Sequence, residues 1–278
     1  MTLKDVLFQA RQVLTASQIE DAALESEVML RHVLMVSRSQ LYVDFNRELN
    51  PTDYLAYWDL VKRRLDNEPI AYMTGHREFY GLDFYVEPAV LITRPESELL
   101  VERALQIARN RHISKIADIG TGSGAIAISL ALNLRQATIY ATDISASALQ
   151  VALINCRKHG VTERVRLLEG DLLDPLPEPV DLIVANLPYV RESELSQVNT
   201  GGFEPPLALN GGQDGLDKIR RLCIQAGKKL RPEGCLLLEI GEGQSSAISD
   251  FLSDLFPSSS IEVTPDLAGI ERVITVTT

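Results

Sequence analysis

The chain has 278 residues, 45% hydrophobic and 23% charged, the balance of a folded globular protein rather than a disordered one. Lys and Arg number 27 against 38 Asp and Glu, and the net charge of −11 argues against a broad phosphate-binding surface while leaving room for a local basic groove. The three cysteines form no C-x-x-C pair, the four histidines stand in no zinc motif, the N-terminus carries no basic-then-apolar leader, and no apolar run approaches the roughly 20 residues of a membrane span; we expect a cytoplasmic protein with no disulfide framework, no metal site and no membrane contact.

Residues 1–75 are expected to form a small all-helical domain. Val6, Leu7, Ala10, Val13 and Leu14 recur at helical spacing, as do apolar positions in 25–34 and 54–65. Asn50-Pro51-Thr52-Asp53 reads as a helix start with Thr52 or Asp53 as its cap. The character changes at Glu68-Pro69. Phe79-Tyr80 and Phe84-Tyr85-Val86 flank Gly81-Leu82-Asp83, so residues 76–93 are expected to be a β-hairpin linker. Residues 94–278 alternate short apolar strands with amphipathic helices. Strands are expected at 116–119, 138–142, 165–169, 180–185 and 235–239, and a late pair at 261–264 and 272–276. That pattern means an α/β fold, a mostly parallel sheet covered on both faces.

Three features carry chemistry. Gly120-Thr121-Gly122-Ser123-Gly124 follows a strand and opens a helix, where glycines allow a sharp turn and close approach of a cofactor. Asp143 ends the next strand, where an acid can accept the ribose hydroxyls of a nucleoside cofactor; its competing role is a helix cap. Loop and acid do not separate a nicotinamide dinucleotide from S-adenosylmethionine. Asn186-Leu187-Pro188-Tyr189 leaves the carboxyl end of a parallel strand, where open α/β sheets bind ligands. The nitrogen of an amide or aromatic amine is a poor nucleophile because its lone pair is delocalised. The Asn186 side-chain oxygen and the Leu187 carbonyl can accept the two hydrogens of such an NH₂ group and stabilise positive charge developing on it. Pro188 stiffens the loop, and Tyr189 can pack on the flat group. Asn186, Pro188 and Tyr189 are therefore the catalytic candidates, and Asn186 to Tyr189 the substrate-binding ones.

The Asn-x-Pro-Tyr element resembles that of amino-group methyltransferases, and the chain resembles, nearly end to end, the protein-(glutamine-N5) methyltransferases that modify peptide chain release factors. The resemblance runs through Glu68 to Tyr72, Glu78 to Phe84, Leu91 to Glu98, Asp118 to Gly124, Ala141 to Ser145, Gly170 to Leu172, Phe203 to Leu209, Gly211 to Asp217, Leu238 to Gly241, and Asp266 to Arg272. It departs where the family usually has proline, at Leu187 and Thr93. It implies a Rossmann-like S-adenosylmethionine-dependent methyltransferase domain behind a helical substrate-docking domain. It implies cofactor binding by Arg94, Gly120, Thr121, Gly122, Ser123, Gly124, Asp143, Ile144, Asp171, Leu172 and Asn186, with S-adenosylhomocysteine as product. It implies methylation of the glutamine in the Gly-Gly-Gln motif of class I release factors, with no nucleic-acid partner. Thr93 and Glu96 also read as a capping box, which would make Arg94-Pro95-Glu96 a helix start. Residues 211–213 themselves read Gly-Gly-Gln, taken as a loop turn rather than a self-methylation site.

Other readings are an adenine N6-methyltransferase acting on ribosomal RNA or DNA, which shares the Asn-x-Pro-Tyr chemistry, a nicotinamide-dependent oxidoreductase, which leaves Asn186 to Tyr189 without a role, and a non-catalytic S-adenosylmethionine-binding protein.

Overall fold

The computed structural model describes residues 1–198 and 201–278, which divide into two compact units, Met1–Gly75 and His76–Thr278. The first unit contains α1 (Leu3–Ala16), α2 (Ala22–Leu34), α3 (Arg38–Val43), α4 (Pro51–Leu65) and α5 (Ile70–Thr74). Leu3, Val6, Ala10 and Leu14 form one stripe of α1 and pack with Met29, Leu30, Leu41, Tyr57 and Val61 in a core of the unit's own. Thr2 and Asp5 close a capping box on α1. The cap of α4 is Asn50, whose oxygen accepts from the Asp53 N–H at 2.9 Å, and not Thr52 or Asp53. Pro51 lacks an N–H and suits the first helical position, which places the cap one residue before it.

The second unit opens with a hairpin of β1 (His76–Phe79) and β2 (Leu82–Tyr85). Tyr80 and Gly81 both have positive φ, +52° and +71°, as a two-residue I′ turn requires, so Leu82 and Asp83 belong to the strand rather than the turn. Then follow α6 (Glu98–Asn110), β3 (Lys115–Ile119), α7 (Ala125–Asn133), β4 (Thr138–Asp143), α8 (Ala146–Lys158), β5 (Val165–Glu169), β6 (Val180–Ala185), the short α9 (Leu195–Val198), α10 (Asp217–Lys229), β7 (Leu230–Glu239), α11 (Ser245–Leu255), β8 (Ser260–Pro265) and β9 (Glu271–Thr277). Among the described residues seven strands form one sheet in the order β5-β4-β3-β6-β7-β9-β8, parallel from β5 to β7, with β9 antiparallel to both its neighbours.

Alternation along the strands divides the core in two. Leu182, Val184, Cys235 and Leu237 face the side packed with Leu100, Ile128 and Cys156 of α6, α7 and α8. Ile183, Ala185, Leu236 and Leu238 face the side packed with Leu222 of α10 and Leu252 of α11. Residues 76–93, expected as a linker, belong to this second unit. Phe79 and Phe84 are buried in its core, and Asn155 of α8 bonds both the N–H and the carbonyl of Tyr85 at 2.8 and 2.9 Å.

This topology positions the site. The chain runs outward from β3 through β4 to β5, then returns to place β6 on the other side of β3. The carboxyl ends of β3 and β6 flank the switch point, where an open α/β sheet leaves a crevice. The glycine loop leaves one of these strands and Asn186 the other. No helix of the described residues is long and apolar enough to cross a membrane.

Candidate active site

The loop after β3 holds Gly120, Gly122 and Gly124 at φ of +71°, +53° and +82°. Two of these glycines also answer to packing. A Cβ on Gly120 would sit 3.1 Å from Cδ2 of Leu187, and one on Gly124 3.3 Å from Cβ of Ala152. Gly124 thus packs α7 against α8 and does not line the cleft, unlike Gly120, Thr121, Gly122 and Ser123. Asp118 braces the loop from beneath. Its Oδ2 accepts from the Thr121 hydroxyl at 2.6 Å and the Ala127 N–H at 3.1 Å, while Oδ1 has no partner among the described residues. Burial pushes this acid up to about 7, further raised by the charge of Asp143.

Asp143 ends β4. Its Oδ2 accepts from the Gly122 N–H and its Oδ1 from the Ser145 N–H, both at 2.9 Å. The cap of α8 is Ser145, which accepts from the Ala148 N–H, so Asp143 is not the helix cap. Burial raises its pKa against these backbone bonds, which lower it. Ile144, Asp171 and Leu172 continue the wall, with Leu91, Ile119 and Ile126 making much of it apolar.

A second groove adjoins the first. Arg94, Tyr189, Arg191, Glu194, Glu242 and Arg272 line it and do not line the cleft. Asn186, Leu187 and Pro188 line both cavities, as do Leu91 and Ala208, and these residues form their common wall. The Asn186 Nδ2 donates to the Ser97 hydroxyl at 2.8 Å, and its Oδ1 accepts no hydrogen bond among the described residues. Leu187 lies beyond the last ladder residue, Ala185, and its carbonyl likewise accepts none. Tyr189 donates its hydroxyl to Oε1 of Glu239 at 3.3 Å. Burial and the Glu239 charge raise the Tyr189 pKa, so its phenol stays protonated.

Two sequence expectations change here. Arg94 lines the second groove rather than the cleft beside the glycine loop, and its guanidinium pairs with buried Glu204 at 2.6 Å, whose other oxygen accepts from the Ile92 N–H at 3.2 Å. That pair ties the stretch before α6 to the 203–209 segment. The capping box of Thr93 and Glu96 does not form. The 3-10 turn Pro95–Ser97 starts from Arg94 without a side-chain cap, and the Thr93 hydroxyl oxygen is buried without a partner among the described residues. The Gly211-Gly212-Gln213 turn has a packing reason. A Cβ on Gly211 would lie 2.7 Å from the Pro188 carbonyl oxygen, and one on Gly212 would collide with the Asp217 carboxyl, whereas Gln213 is exposed.

Residues 5–75 match the family described as the PrmC N-terminal domain, and residues 95–201 the methyltransferase small domain. A release factor glutamine methyltransferase of Moorella thermoacetica is 44% identical over 274 residues, covering 98% of this chain and 97% of its own. The chain belongs to the release factor glutamine methyltransferase family. A second relative of that name, from Geobacter sulfurreducens, is 40% identical over 281 residues, covering 98% of this chain and 95% of its own. Among solved structures, a methyltransferase from Pyrococcus furiosus shares the fold, with a TM-score of 0.54 at 18% identity over 79% of this chain and 98% of its own.

The sequence alone assigned no role to Ser97, Ala208, Lys218 or Glu239. Ser97, Ala208 and Lys218 line the cleft, and Glu239 holds the Tyr189 hydroxyl. Ser97, Ala208 and Glu239 lie inside stretches that carried the family resemblance, Leu91 to Glu98, Phe203 to Leu209 and Leu238 to Gly241, a signal for where they sit though not for what they do.

Proposed function

We propose that this protein methylates the side-chain amide nitrogen of the glutamine in the Gly-Gly-Gln motif of class I peptide chain release factors, using S-adenosylmethionine and leaving S-adenosylhomocysteine, in the cytoplasm where translation terminates. The observation that carries this reading is the shared wall. Asn186, Leu187 and Pro188, together with Leu91 and Ala208, line both the cleft and the groove, so the two reactants would meet at this shared wall. When bound, S-adenosylmethionine supplies an electrophilic methyl on its sulfonium.

The residues present fit that cofactor. Asp143 keeps lone pairs for ribose hydroxyls after its two backbone bonds. Ile119, Ile126, Ile144 and Leu172 offer apolar surface to a flat base, beside Asp171. Gly120 to Ser123 let the backbone approach the amino-acid portion.

On the acceptor side, the Asn186 Oδ1 and the Leu187 carbonyl accept the two hydrogens of the substrate amide. They hold its nitrogen facing the methyl and stabilise the positive charge that grows there. Once the methyl has arrived the nitrogen is strongly acidic and sheds one proton to water, so no buried base is needed. The arginines of the groove support an uncharged acceptor over an RNA or DNA adenine. Arg94 pairs with Glu204, Arg191 with Glu194 and Arg272 with Asp266, which leaves flanking phosphates no unpaired arginine in the groove among the described residues. The first unit, residues 1–75, is read as the docking domain for the release factor, with 76–278 carrying the chemistry.

The test is incubation of the protein with labelled S-adenosylmethionine and, separately, a purified class I release factor, the same factor with its Gly-Gly-Gln glutamine changed to asparagine, and ribosomal RNA. The reading requires one methyl on the glutamine-bearing peptide and none in the other two arms. Label in RNA alone would replace it with the adenine reading.

A further inference from the structure

The segment Phe203 to Leu209 carries none of the chemistry above, yet the fold anchors it at both ends. At one end Glu204, 6% exposed, accepts from the Ile92 N–H through Oε1 at 3.2 Å and from Nη2 of Arg94 through Oε2 at 2.6 Å. At the other end the Leu209 carbonyl accepts from the Val190 N–H at 3.0 Å, and the Gly211 N–H donates to the Val190 carbonyl at 2.9 Å. Between these anchors runs a 3-10 turn, Pro206–Ala208, entered from Pro205 at φ of −65°. A proline ring fixes that angle, so two prolines in succession leave the turn little freedom.

Both segments joined by Glu204 supply cleft wall. Pro205, Leu207 and Ala208 line the cleft from one, and Val90, Leu91 and Thr93 from the other. Leu207 is nonetheless 54% exposed, as is Ile144 after β4 in the same cleft. A lone exposed leucine is ordinary. A leucine carried by a stiff turn into the wall of a cleft that fits a nucleoside cofactor is a surface that an apolar part of that cofactor covers. The base offers the largest apolar face of S-adenosylmethionine, whereas its amino-acid end carries an ammonium and a carboxylate.

We propose that Leu207 packs on the nucleoside portion of the cofactor, and that Glu204, by bonding Ile92 and Arg94, is the positioning residue that holds Leu207 there. Glu204 lines neither the cleft nor the groove, so it acts on a ligand only through the segments it joins. Arg94, which lines the groove and not the cleft, bears on the cofactor through Glu204. The inference rests on the functional reading above for the identity of the cofactor. It extends that reading to one more contact and the brace behind it.

The experiment titrates S-adenosylhomocysteine, which keeps the nucleoside and has no methyl to transfer, into the parent, Leu207→Ala, Glu204→Gln and the double variant. Thermal unfolding without ligand checks each fold. Leu207→Ala shortens an exposed side chain, keeps the parental melting temperature and lowers affinity about tenfold, the scale of two methylene equivalents lost from an apolar contact. Glu204→Gln keeps the shape, withdraws the charge that Arg94 pairs with, and lowers affinity about threefold or more. Because Glu204 works through Leu207, the double variant binds within about twofold of the weaker single variant, where independent effects would multiply. Should Glu204→Gln unfold, Arg94→Gln, from a side chain 40% exposed, breaks the same pair and takes its place in the cycle. Parental affinity in Leu207→Ala overturns the contact. Parental affinity in the pair-breaking variant, or losses that multiply in the double variant, overturns the positioning role. The readout is binding, so a parent that binds S-adenosylhomocysteine and methylates no release factor overturns the functional reading alone, and the affinities still decide this inference. A parent that binds none overturns both.

Discussion

The backbone N–H of Gly122 donates to Oδ2 of Asp143 at 2.9 Å, so the glycine loop after β3 and the acid ending β4 hold each other in place. In the proposed reading Asp143 serves the cofactor twice, by accepting ribose hydroxyls and by fixing the loop beside them. Asp143→Ala should weaken S-adenosylmethionine binding at least 10²-fold, since two hydrogen bonds to a charged group contribute about 1.5–3 kcal/mol each. The melting temperature should also fall, because the N–H groups of Gly122 and Ser145 lose their acceptor. Calorimetric titration beside thermal unfolding reads both. Unchanged affinity with a lowered melting temperature would confine Asp143 to the loop.

Asp118 links stability to pH. Its folded pKa stands near 7 against 3.8 for the free side chain, so between those values the folded state holds more protons than the unfolded. Its contribution is fully present below about pH 4 and is lost as pH rises through 7. Asp118→Asn can keep an oxygen facing Thr121 and Ala127 without the buried charge. The variant should gain on the parent in melting temperature from pH 5 to about 7 and level off above that. Glu239 is raised the same way, so the variant retains part of the slope. A difference between variant and parent that stays constant with pH would contradict the assignment.

Leu187 separates backbone from side chain. Leu187→Pro keeps the carbonyl proposed to face the substrate amide, so kcat should change little. The leucine is 5% exposed and lies over Gly120, so the smaller proline ring loses packing, on the order of 1 kcal/mol for each methylene equivalent removed. Steady-state kinetics and urea unfolding test the pair of outcomes. A large fall in kcat would mean the side chain, not the carbonyl, does the work.

Residues 1–75 have a core of their own, so their removal should leave a folded second unit. If they dock the release factor, the truncated protein should bind S-adenosylmethionine with near-parental affinity while KM for the release factor rises strongly. An unchanged KM would remove the docking role.

Much of the fold was legible because its signals are local. The near-continuous apolar runs of 180–185 and 235–239 mark core strands buried on both faces, and the glycine loop and Asn186 to Tyr189 are each contiguous in the chain. What escaped was non-local. Ser97 meets Asn186 across 89 positions and Arg94 meets Glu204 across 110, contacts that exist only once the sheet order is set. In sequence, Ser97 looks like part of a helix start and Glu239 like the polar end of an apolar strand. Arg94 reads as a cofactor contact until Glu204 claims its guanidinium. The Thr93–Glu96 capping pattern failed because the first turn there is 3-10 and begins one residue later.

The most direct test is single-turnover methylation of a Gly-Gly-Gln-bearing release factor by the parent and by Asn186→Ala, with saturating S-adenosylmethionine and the fold checked by circular dichroism. Asn186→Ala removes the acceptor proposed to match charge developing on the amide nitrogen and leaves the glycine loop and Asp143 untouched. The rate constant should fall roughly 10²–10³-fold, the typical cost of losing one preorganised group of this kind, with little change in cofactor affinity. A folded Asn186→Ala protein that methylates the glutamine at the parental rate would contradict the account.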